Sequence, residues 1–216
     1  MNQVPSLDEQ YLDFTEKSSP VFAQYPQLEP LRYIVFRELF AQHKGAGWKD
    51  IAKHWLRPLV RRSCSQGPLN RADVLLWLEG DRAGMEMWLP ICRELASRQI
   101  NVQVVYFSRR DDLPVSGLAF DFASRAVIPA WAKDAWNDFC QVLEDLRSRS
   151  IQRSFYHACS YVQGLLDELQ RILVLVTPKI VITASTQLMG GAALMIASQS
   201  RGALRLLLQH GILQPF

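Results

Sequence analysis

Four short apolar runs, separated by stretches of helical periodicity, constrain this 216-residue chain more than any other feature of its sequence. They are Asp73-Val-Leu-Leu-Trp-Leu78, Asn101-Val-Gln-Val-Val-Tyr-Phe107, Lys179-Ile-Val-Ile-Thr183 and Leu204-Arg-Leu-Leu-Leu-Gln209. A run that is apolar at consecutive positions, rather than at alternate ones, suits a strand covered on both faces. After Glu79-Gly80-Asp81 a helical stretch runs to about Arg98, with Trp88, Leu89, Cys92, Leu95 and Ala96 on one side. Further helices are expected over 130–149, 154–174 and 188–200, and a short strand within 118–128. Strands alternating with helices of ten or more residues imply right-handed βαβ units and a mostly parallel sheet. The expected fold class is therefore α/β, with a Rossmann-like, doubly wound sheet preceded by a helical N-terminal segment.

Charge divides the chain near residue 71. Residues 1–40 carry a net charge of −3, residues 41–71 a net charge of +6, and residues 72–216 balance to zero. The stretch Ser63-Cys-Ser-Gln-Gly-Pro-Leu-Asn70 has the turn-forming residues of a linker. Residues 1–71 thus read as a helical segment with its linker, and residues 72–216 as the sheet-bearing domain. In the leader, Pro30 suits a first helical turn, followed by Leu31, Ile34, Val35 and Leu39 at helical spacing. A second stripe, Trp48, Ile51, Ala52, Trp55, Leu56, Leu59 and Val60, leaves Lys49, Lys53 and Arg57 on the opposite face, with Pro58 ending or kinking the helix. Both tryptophans fall on the apolar face, so they read as core rather than as base-stacking platforms, and no nucleic-acid partner is expected. The basic face suits peripheral contact with an anionic membrane surface.

The apolar fraction of 49% and charged fraction of 21% exclude a disordered or fibrous chain. No run of about 18 apolar residues is present, and the first residues lack the basic head and apolar core of a signal peptide. Cys64, Cys92, Cys140 and Cys159 lie far apart without a C-x-x-C pair. They read as four reduced thiols of a cytosolic protein rather than a disulfide framework or zinc cluster.

In parallel sheets ligands bind beyond the carboxyl ends of the strands, so the residues just after each strand are the candidates. Several chemistries are missing there. Gly80 and Gly84 give G-x-x-x-G rather than the dinucleotide fingerprint G-x-G-x-x-G, and no phosphate-binding G-x-x-x-x-G-K-[ST] occurs. No G-x-S-x-G elbow and no H-E-x-x-H pair occurs either. No cofactor and no metal is expected.

His210-Gly211 follows the last strand, and its imidazole could accept a proton from an attacking hydroxyl. The alternative is a histidine that caps the strand by bonding a neighbouring carbonyl. Gly190-Gly191, after Ser185 and Thr186, opens the penultimate helix, whose free N–H groups could hold a phosphate or sugar hydroxyl. Equally, the glycines could let that helix pack closely on the sheet, with Ser185 or Thr186 as its N-cap. Arg109 could grip an anionic substrate, although Asp111 and Asp112 follow it closely. Glu79, Gly80 and Asp81 are hydroxyl-binding candidates, and Asp81 could instead cap the next helix. His157 and Cys159 read as the surface and core of one helix, not a metal site.

The stretch from Glu79 to Phe107, with R-E-L-A-S-R-Q-I-N-V-Q-V-V inside it, resembles the opening βαβ unit of GT-B glycosyltransferases. Thr177-Pro-Lys-Ile-Val-Ile-Thr-Ala-Ser-Thr, Gly190-Gly-Ala-Ala-Leu and Leu206-Leu-Leu-Gln-His-Gly-Ile212 resemble the late part of the same N-terminal domain. The terminal Q-H-G is similar to that of bacterial surface-polysaccharide transferases and, more distantly, to the H-G of glycerophosphate polymerases. The resemblance covers residues 72–216 and implies an acceptor-side lobe with His210 as base. It further implies a nucleotide-sugar donor, a glycan or lipid-linked acceptor, and cytoplasmic work at the inner face of the membrane. GT-B enzymes have a second lobe, which the resemblance places beyond this chain. A non-catalytic ligand-binding or interaction domain, and a glycerophosphate transferase or nucleotide-sugar epimerase of the same fold, are the alternatives.

Overall fold

The computed structural model describes residues 6–33, 35–36, 69–78, 88–106, 118–119, 127–143, 149–184 and 189–208. The chain groups into two compact units, Met1–Arg57 with Ser124–Gly164, and Pro58–Ala123 with Leu165–Phe216. This grouping differs from the charge-based division at residue 71, because the aromatic helices near the middle of the sequence pack with the N-terminal helix.

In the first unit, helix α1 (Leu7–Gln24) opens with a reciprocal capping box. The Ser6 hydroxyl accepts from the Glu9 N–H at 3.2 Å, and the Glu9 carboxylate accepts from the Ser6 N–H at 2.7 Å. Two of the otherwise unpaired donors of the first turn are thereby satisfied. Phe14, Ser18, Val21 and Phe22 form its buried stripe. A 3₁₀ turn (Pro26–Leu31) follows, and residues 32–33 and 35–36 are helical. Pro30 therefore lies in the 3₁₀ turn just before the α-helical residues.

Helix α2 (Trp88–Ser97) belongs to the second unit, whereas helix α3 (Ala130–Val142) returns to the first. Phe139 of α3 meets Phe22 of α1 edge-on, with ring centroids 5.5 Å apart, and Tyr25 donates to the Asp138 carboxylate at 2.9 Å. Helix α4 (Arg149–Val176) buries Phe155, Cys159, Val162, Leu166, Leu169, Leu173 and Val176, a stripe spaced three or four residues apart along one face. The periodicity had placed one helix over 130–149 and another over 154–174. The break falls earlier, since Leu143 adopts an extended backbone (φ −127°, ψ 101°).

The second unit contains the sheet. Its strands are β1 (Val74–Leu78), β2 (Val102–Tyr106), β3 (Leu118–Ala119), β4 (Ile180–Thr183) and β5 (Leu204–Leu207), in the spatial order β3-β2-β1-β4-β5. All four pairings are parallel. Helix α5 (Met189–Gln199) connects β4 to β5, and Gly202 (φ +68°) turns the chain into β5. The alternation of apolar runs and helical stretches thus does give an α/β chain with a parallel sheet.

Every residue of β1 is buried, as a continuous apolar run requires of a central strand. On one face Val74, Leu76, Leu78, Val104, Tyr106 and Ile182 pack with Trp88, Ile91, Cys92 and Leu95 of α2. The other face carries Leu75, Val181 and Arg205 in register, and the Arg205 guanidinium comes within 3.5 Å of the Met195 carbonyl in α5. One expectation fails here. The last apolar run predicts a strand buried like β1, yet all four residues of β5 are exposed, because β5 stands last in the strand order with β4 on one side. Among the described residues, no helix is long and apolar enough to cross a membrane.

Candidate functional site

Strand register decides where the candidate residues leave the sheet. Leu78 pairs with Tyr106 and Tyr106 with Ala119, while Trp77 pairs with Thr183 and Thr183 with Leu207. All five strands run in the same direction and end within one residue of one another. Their carboxyl ends form a single rim. The strand order reverses at β1 and β4, which are neighbours although β2 and β3 lie between them in sequence. In open parallel sheets, ligands bind outside the carboxyl ends of the strands at such a reversal.

The strand-end segments begin at this rim: Glu79 directly after β1, Arg109 three residues after β2, Ser185 two residues after β4 and His210 three residues after β5. Glu79, Gly80, Asp81, Arg109, Ser185, Thr186, His210 and Gly211 themselves lie outside the described residues, as do the basic stripe of 44–62 and its tryptophans.

Gly190 and Gly191 are described. Both are buried in the first turn of α5, together with Ala192, Ala193 and Leu194. Burial of five consecutive small or apolar residues at the start of α5 agrees with the reading that the glycines sit in the packed side of that helix. His157 and Cys159 lie on α4 as expected, the imidazole exposed and the thiol fully buried. Burial also pushes the Cys159 thiol far above its ordinary range, so it acts as a small apolar side chain.

Two described titratable groups that the strand-end rule passed over lie at the end of β2 and on the helix packed against it. Tyr106, the last residue of β2, is buried, and its hydroxyl is pushed up to about 12, first by burial and then by the neighbouring Cys92. Burial raises the Cys92 thiol as well. Both groups are neutral at pH 7. The phenol is a hydrogen-bonding group and the thiol is no thiolate nucleophile. Neither can take a proton near neutrality. Tyr106 was legible as a member of an apolar run, but the strand-end rule directs attention to the residues after the strand. At the opposite, amino-terminal edge, Lys179 pairs with Asp73 at 2.7 Å in an exposed contact far along the strands from the rim. Among the described residues, no group of three or more His, Cys, Asp or Glu side chains is placed to hold a metal ion.

Comparison of the chain with protein-family models, with curated proteins and with solved structures finds no match in any of the three.

Proposed function

We propose that residues 72–216 form the acceptor-side, Rossmann-like lobe of a nucleotide-sugar-dependent glycosyltransferase of the GT-B kind. The observation that carries the reading is the rim: parallel strands in the order β3-β2-β1-β4-β5, ending together at a point of order reversal. The doubly wound detail is supported by α2 packing on the face that carries Leu76 and by the approach of Arg205, in register with Leu75 and Val181, to the Met195 carbonyl of α5. That arrangement is what right-handed crossovers give when β2 lies to one side of β1 and β5 lies on the far side of β4. The carbohydrate chemistry is supported by the sequence resemblance, above all by Gln209-His210-Gly211 after β5.

In this reading the acceptor sits over the carboxyl ends of β1 and β4. Glu79 and Asp81 accept hydrogen bonds from its hydroxyls, and Arg109 pairs with an anionic group of the donor or acceptor. His210 takes the proton of the attacking hydroxyl as the bond to the sugar carbon forms and the nucleotide diphosphate departs. The buried Gly190-Gly191 turn keeps α5 close against the sheet, so that Ser185 and Thr186 are carried at the rim. The substrate class places the work in the cytoplasm, where the basic stripe of residues 44–62 holds the protein at the inner face of the membrane.

The test is sugar transfer by the product of the intact gene, wild type against His210→Ala, with UDP-glucose, GDP-mannose and CDP-glycerol as donors. Loss of a general base lowers turnover by roughly 10²–10⁴-fold. Unchanged turnover in His210→Ala removes that residue from the mechanism. Exclusive use of CDP-glycerol moves the reaction to glycerophosphate transfer, and no turnover with any donor class contradicts the enzymatic reading.

A further inference from the structure

We draw no further inference here: the strongest candidate, the exposed apolar edge formed by Leu204, Leu206 and Leu207 of β5, carries nothing because nothing in the structure shows what covers it.

Discussion

Leu76 and Leu206 occur in apolar runs of similar composition, yet they should respond very differently to truncation. Leu76 lies at the centre of β1, has no exposed surface, and is enclosed by Val74, Leu78, Val104, Ile182 and the α2 residues Trp88 and Ile91. Leu206 lies in β5 and keeps 38% of its surface exposed. Leu→Ala removes three carbons, worth roughly 2–2.5 kcal/mol of transfer free energy at about 0.8 kcal/mol per buried methylene. At Leu76 the surrounding sheet and helix cannot collapse into the space, so a cavity penalty adds and the total reaches about 3–5 kcal/mol. At Leu206 part of the side chain is already in water and no closed cavity forms, which leaves about 1 kcal/mol. With a urea slope of about 2–3 kcal/mol per M, Leu76→Ala moves the unfolding midpoint down by more than about 1 M and Leu206→Ala by less than about 0.5 M. Far-UV circular dichroism in a urea series reads both shifts. Equal shifts for the two variants would refute the assignment of β1 to the centre and β5 to the edge.

The Tyr25–Asp138 contact gives a pH dependence whose sign is fixed. Burial first, then the hydrogen bond to Asp138 and its charge, raise the phenol above its ordinary value of 10.0. A pKa raised by folding means that the contribution is fully present below the unfolded value and is lost as pH rises through the folded one. Stability should therefore fall above pH 10 in the wild type, and Tyr25→Phe should flatten that fall; an unchanged alkaline slope would exonerate the pair. The Thr15 hydroxyl is buried without a hydrogen-bond partner among the described residues. Thr15→Val, of the same shape, should raise the unfolding free energy by about 1 kcal/mol, and a loss would show that the hydroxyl is bonded. Thr177 holds φ at +50° at the end of α4, a conformation costly for a β-branched residue. Thr177→Asn should stabilise by roughly 0.5–1 kcal/mol in the same urea series, and destabilisation would contradict the strain. Ser6→Ala removes one half of the capping box and should cost about 1 kcal/mol, with helix loss confined to α1. An unaltered midpoint would mean that α1 does not depend on its cap.

The parallel sheet was legible because β1, β4 and, apart from Gln103, β2 are short apolar runs that alternate with helical stretches, as strands covered on both faces do. β5 was legible as a strand but not as an exposed one. Leu204-Arg-Leu-Leu207 has the hydrophobicity of a central strand, and a run of residues does not reveal how many neighbours it will have. Helix α1 was missed in detail because its stripe includes Ser18 and is interrupted by Pro20, so its apolar periodicity is weak. Its signal was the capping box, Ser6-x-x-Glu9, rather than hydrophobicity. The same limit applies at Leu143, where charge and helix propensity carry the helical pattern on although the backbone of that residue is already extended. Of the site, sequence alone gave the rule that strand ends face a ligand. The register showed that those ends are level, and burial raises the Tyr106 phenol at the end of β2 and the Cys92 thiol on α2.

Amide hydrogen exchange on the product of the intact gene, with UDP-glucose, GDP-mannose or CDP-glycerol added in turn, reads most directly whether the level strand tips receive an activated sugar. Because the proposed reading has the donor's sugar meet the acceptor over these tips, the predicted result within residues 1–216 is slowed exchange confined to the last residues of β1, β2 and β4 and to the first turn of α5. Slowing confined to α1 and α3, or no slowing with any of the three donors, would contradict it.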